Sequence, residues 1–63
     1  MKLKDLKPIL VNSGHYIQST ILWEQSTNTD LENGASIEYV ISHYSEREVK
    51  NIKAFENSLL ITV

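Results

Sequence analysis

The closing stretch, Val49-Lys50-Asn51-Ile52-Lys53-Ala54-Phe55-Glu56-Asn57-Ser58-Leu59-Leu60-Ile61-Thr62-Val63, constrains the fold more than any other part of the chain. Two runs that suit pleated strands meet at Glu56-Asn57-Ser58, residue types that turn a chain cheaply, and the pattern predicts a β-hairpin. Whether Glu56-Asn57 or Asn57-Ser58 forms the tight loop, the two-residue period of a strand puts Ile52 and Ala54 on one face with Leu59, Ile61 and Val63. That face is the expected core. The opposite face carries Asn51, Lys53 and Thr62, interrupted by Val49, Phe55 and Leu60.

Length sets the next bound. The 63 residues make one expected domain, residues 1–63, and a chain of this size buries only roughly 60% of the surface its unfolded form exposes. Stability should be marginal, and without cysteine there is no disulfide framework and no thiolate metal site. A homodimer is the remaining way to add buried surface. The absence of cysteine fits a reducing, cytoplasmic setting, and the longest apolar runs, Ile9 to Val11 and Ile21 to Trp23, are far too short to span a bilayer. Six basic and eight acidic residues give a formal net charge of −2, whereas a nucleic-acid binder normally presents a basic stripe. The lysines form two small groups, Lys2, Lys4 and Lys7 at the start and Lys50 and Lys53 near the end.

Leu3, Leu6 and Leu10 fall at helical spacing, and Asp5 as N-cap predicts a short helix from Leu6 to Val11. Pro8, third after that cap, would lose only an amide with no intrahelical partner, and Asn12-Ser13-Gly14 supplies the stop. His15 to Glu24 reads as the first strand, with Ile17, Ile21 and Trp23 pointing one way and Tyr16, Gln18, Thr20, Leu22 and Glu24 the other. Gln25 to Asp30 is a polar surface loop. Leu31 to Gly34 fits either a short edge strand or irregular chain. Ser36 looks like an N-cap, and Ile37, Val40, Ile41 and Tyr44 follow with the cleanest helical periodicity in the sequence, ending near Ser45 or Glu46.

The assembled expectation is a small α+β domain, helix, strand with a possible short partner, helix, then hairpin, with an antiparallel or mixed sheet and helices on one face. Its core would hold Leu6, Leu10, Ile17, Ile21, Val40, Ile41, Tyr44, Ile52, Ala54, Leu59, Ile61 and Val63.

Residues that carry chemistry are sparse. His15 and His43 sit on different elements with no carboxylate at ligand spacing, too few donors for a zinc site, so no metal is expected. No serine stands in a Gly-x-Ser-x-Gly setting, and two glycines cannot build a phosphate-cradling loop. Glu24, Asp30 and Glu32 could approach one another across the loop, but calcium loops are denser in oxygen ligands, and a solvated acidic surface is the favoured reading. No catalytic residue and no cofactor are expected, and the chain does not read as an enzyme. A site completed across a dimer by His15 or His43 would be the exception.

What remains is surface. Trp23, Phe55, Leu60 and Val49 exceed what the core face of a two-layer domain absorbs; on one open sheet face they would form a contact patch anchored by Trp23 and Phe55. The competing reading places Trp23 in the core and leaves the others scattered, which is ordinary for surface apolars. A free strand edge is a second route to another chain.

The ends of the chain add a resemblance. Met1-Lys2-Leu3-Lys4-Asp5-Leu6 at the start, with Arg47-Glu48-Val49-Lys50-Asn51-Ile52-Lys53-Ala54 and Asn57-Ser58-Leu59-Leu60-Ile61-Thr62-Val63 at the close, resembles small proteins of phages and prophages of low-GC Gram-positive bacteria. That group typically opens with a Lys-Leu-Lys-Asp-Leu helix and finishes with a Glu-Val-x-x-Ile hairpin of alternating aliphatics. The middle, His15 to Gly34, departs from it, with Gln25-Ser26-Thr27-Asn28-Thr29 where the group usually carries an acidic hairpin. The resemblance implies a cytoplasmic, non-enzymatic inhibitor that binds a host protein by occlusion, most concretely a defence factor such as a CRISPR nuclease. Two surfaces would serve, the Trp23, Phe55 and Leu60 patch or the acidic Glu24, Asp30 and Glu32 region set against a basic groove. The alternative is a small dimeric nucleic-acid-binding domain using Lys4, Lys7, Lys50 and Lys53 with aromatic stacking.

Overall fold

The computed structural model describes residues 1–11 and 19–63, the side chain of Val11 excepted. Strands β1 (Ser19–Glu24), β2 (Thr29–Ala35), β3 (Asn51–Phe55) and β4 (Ser58–Thr62) form one mixed sheet in the order β2-β1-β4-β3. Helix α1 (Ile37–His43) and an N-terminal helical segment (Leu3–Val11) pack on one of its faces, giving the expected α+β fold. The pairings β1–β2 and β3–β4 are antiparallel, and β1–β4 is parallel.

The N-terminal segment begins three residues earlier than its sequence predicts. Asp5 is not the N-cap; its carboxylate reaches back to accept the Lys2 N–H at 2.9 Å, and the tight turns Leu3–Leu6 bury Leu3 and Leu6. From Lys7 to Val11 the turns widen to the π type. An α turn would press the Pro8 ring on the carbonyl four residues back, and the widening relieves that contact. Residues ahead of the segment run antiparallel to the stretch after α1: Val49 N–H donates to the Met1 carbonyl (2.7 Å), Leu3 N–H to Arg47 (3.0 Å) and Lys4 N–H to Ser45 (3.1 Å). Charges line the same seam, with Lys2 and Lys4 on Glu46 and the Met1 ammonium on Glu48. The Asn12-Ser13-Gly14 stop and the strand positions His15, Tyr16, Ile17 and Gln18 lie outside the described residues.

In β1 the facing of the side chains is the reverse of the expected one. Thr20 and Leu22 are fully buried, while Ile21 and Trp23 are half-buried on the opposite face. The parallel partner decides this: Thr20 aligns with Leu59 and Leu22 with Ile61, both core residues, so the even positions of β1 must point inward with them. Ile21 is therefore not a core residue.

The polar loop is present but shorter than expected, because Thr29 and Asp30 already pair with Glu24 and Trp23. The stretch left open in the sequence is part of strand β2. Its register slips twice, at Leu31 and at Gly34, and Gly34 adopts φ 87°, where a side chain would be strained.

Ser36 caps α1 as predicted, accepting the Tyr39 N–H at 3.1 Å. Ile37, Val40 and Ile41 are buried against Leu22 and Ile61, with Leu10, Tyr44 and Val49 packed at the margin. The hairpin turns at Glu56-Asn57, and its faces match the prediction: Ile52 lies opposite Ile61 and Ala54 opposite Leu59. Burial does not follow. Leu59, Ile61 and Val63 are core, but Ile52 is 39% exposed and Ala54 is exposed, because β3 is the outer strand and α1 packs over β1 and β2 at the other side of the sheet.

A candidate protein-binding face

The face of the sheet away from α1 carries a diagonal apolar band. Burial of Leu59 and Ile61 forces Leu60 to the other side of β4, and the register sets it between Ile21 of β1 and Lys53 of β3. Trp23 extends the band at the Thr62 level, and Phe55, 50% exposed, closes it at the Ser58 level. Four residues along the strands and two strands across put Trp23 and Phe55 about 16 Å apart, so they are the two ends of a band rather than one cluster. Trp23, Ile21 and Leu60 are half-buried, and among the described residues no helix lies over them. Val49 leaves the set, since it packs at the core margin.

Polar groups frame the band. The Lys53 ammonium sits 5.4 Å from the centre of the Phe55 ring, a cation-π distance, and the Ser19 and Ser58 hydroxyls meet at 3.1 Å. Ile21 was missed as a face residue; the signal for it was non-local, its alignment with Leu60 on a strand far along the chain.

The acidic trio is not gathered. Asp30 lies opposite Trp23 and holds the Asn33 amide at 3.3 Å, while Glu24 and Glu32 are tied to groups of the chain itself. Glu24, its side chain 15% exposed, accepts the Thr27 hydroxyl at 2.7 Å and pairs with Arg47; hydrogen bonding from Thr27 and then from Arg47 holds its carboxyl below the usual range. Glu32 accepts the Tyr44 hydroxyl at 2.8 Å, and that bond pushes the phenol up. All three carboxylates thus already accept a hydrogen bond from within the chain.

The lysines are dispersed too. Lys4 reaches Glu46 at 3.3 Å and, with Lys7, borders a cleft of about 270 Å³ beside Glu38, Ile41, Ser42 and Ser45, whereas Lys50 and Lys53 belong to the hairpin. His43 stacks on Tyr39 (ring centres 3.9 Å apart), with its Nδ1 3.2 Å from the Tyr39 carbonyl oxygen. His15 lies outside the described residues. Among the described residues there is no group of three or more His, Cys, Asp or Glu placed to hold a metal ion, and no helix long and apolar enough to cross a membrane.

Neither a family model, a curated protein nor a solved structure matches the chain.

Proposed function

We propose that this chain is a non-catalytic protein-binding domain that acts by covering a surface of its partner. Its most concrete form is a phage or prophage inhibitor, working in the host cytoplasm against a defence factor such as a CRISPR nuclease. The observation that carries the binding role is the Trp23–Ile21–Leu60–Phe55 band, aligned on the sheet face that no described helix covers. Aromatic and aliphatic side chains held on paired strands lose little freedom when a partner covers them, which suits them as anchors. The acidic route is weaker, because Glu24 and Glu32 are engaged within the chain. The phage attribution draws on the Lys-Leu-Lys-Asp-Leu opening and the Glu-Val-x-x-Ile hairpin, segments whose backbones meet between Met1 and Val49.

The test is inhibition of DNA cleavage by purified CRISPR nucleases, comparing the chain with a Trp23→Ala, Phe55→Ala double variant whose fold is checked by circular dichroism. Inhibition by the parent and its loss in the folded double variant supports the reading. Equal inhibition by both removes the band from the account, and no inhibition of any nuclease tried overturns the inhibitor reading. A salt-sensitive gel shift with DNA, lost in Lys50→Glu with Lys53→Glu, would replace it by the nucleic-acid alternative.

A further inference from the structure

Strand β3 presents a second surface, its outer edge, which shares Phe55 with the band. It is one of the two edge strands of the sheet, and all 5 of its residues are exposed. Among the described residues nothing pairs with its outer edge. A two-residue turn makes Phe55 and Ser58 a hydrogen-bonding pair, so the main-chain groups of Asn51, Lys53 and Phe55 turn toward β4. Those of Ile52 and Ala54 turn outward. The edge is therefore a ready ladder for one more strand, with Ile52 on one side of it and Lys53 and Phe55 on the other.

Charge selects what can fill it. Among the described residues no carboxylate lies within ion-pair reach of Lys53, and its ammonium is held over the Phe55 ring. A second copy, pairing antiparallel about a two-fold axis at Lys53, would set that lysine directly against its own symmetry mate, in the closer of the two antiparallel pair types. Like charges so placed repel, and an edge lysine is a common guard against self-pairing. A carboxylate at the same position attracts.

We propose that β3 is a strand-addition site for an extended acidic segment of another protein. The segment runs antiparallel to β3 and carries Asp or Glu opposite Lys53, an aliphatic residue beside Phe55 and another beside Ile52. Read from its N-terminus the recognised pattern is aliphatic, any residue, acidic, aliphatic. This site goes beyond the proposed face contact; the two share Phe55, and Trp23, which belongs to the face alone, tells them apart.

The test uses two synthetic peptides, acetyl-Val-Thr-Glu-Val-Thr-amide and the same peptide with Lys in place of Glu, titrated into the isotope-labelled chain and followed by amide NMR. The glutamate peptide is expected to shift amides between Asn51 and Phe55, to bind about three- to tenfold more tightly than the lysine peptide, and to weaken with salt. The order of the two peptides reverses in the Lys53→Glu chain. Ala54→Pro, which removes an outward N–H and leaves the bonds to β4, abolishes binding, while Trp23→Ala leaves it unchanged. Equal affinity for the two peptides, no binding of the glutamate peptide at millimolar concentration, or shifts centred on Ile21, Trp23 and Leu60 would each overturn the proposal. Should Ala54→Pro fail to fold, the reversal in Lys53→Glu decides alone.

Discussion

Thr20→Val is expected to stabilise this protein, against the usual direction for a change in a core. Thr20 has 0% exposure on an interior strand, flanked by Ala35 on β2 and Leu59 on β4, and among the described residues its hydroxyl oxygen has no hydrogen-bond partner. A buried hydroxyl left unsatisfied costs about 1–3 kcal/mol, and valine keeps the branched shape while replacing the oxygen by a methyl group. Valine also suits an interior strand at least as well as threonine does. Allowing for imperfect fit, the gain should be about 1 kcal/mol, which raises the melting temperature of a domain this size by about 4–8 °C. Thr20→Ser is the control: it keeps the unsatisfied hydroxyl, loses the methyl group and should cost about 1 kcal/mol. Urea and thermal unfolding followed by far-UV circular dichroism measure both. A Thr20→Val chain less stable than the parent would mean that the hydroxyl has a partner, and the reasoning fails.

Three further outcomes follow from burial, backbone and charge. Ile61→Ala should cost about 2–5 kcal/mol and Ile52→Ala less than about 1 kcal/mol in urea unfolding, although the two residues face each other across the hairpin; similar losses would put β3 under the helices. Glu56 holds φ 47°, where a residue with a Cβ is strained, so Glu56→Gly should stabilise by about 0.5–1 kcal/mol, and a loss would mean that the Glu56 side chain itself holds the turn. The depressed Glu24 carboxyl contributes stability that is present above the ordinary carboxylate pKa and is lost as pH falls through its lowered folded value. Thr27→Val should move the Glu24 titration, read by side-chain carbonyl NMR, back toward the usual range; an unchanged titration would remove Thr27 as the first cause.

The parts of the fold that could be read from sequence are those fixed within a few residues. Ser36 and the Ile37, Val40, Ile41 spacing specify α1 by themselves, and the Glu56-Asn57 turn sets which hairpin residues share a face. What the sequence leaves undecided depends on partners far along the chain. β1 has apolar residues on both faces, Leu22 on one and Ile21 with Trp23 on the other, and only its parallel pairing with β4 selects between them. Exposure of Ile52 and Ala54 follows from sheet order, which no local pattern encodes. At the candidate site, Phe55 and Leu60 were legible as surplus apolars. The loss of Glu24 and Glu32 to Arg47 and Tyr44 was not, because those contacts join β1 and β2 to the residues that follow α1.

The central claim is that, among the described residues, helices cover one face of the sheet and none covers the other, and solvent access to its methyl groups tests it most directly. In methyl NMR with a soluble paramagnetic agent, the Ile21 and Leu60 signals should broaden at low agent concentration while Leu22, Leu59 and Ile61 remain sharp. Protection of Ile21 and Leu60 together with broadening of Leu22 would show that β1 faces the other way, and the band on which the proposed function stands would not exist.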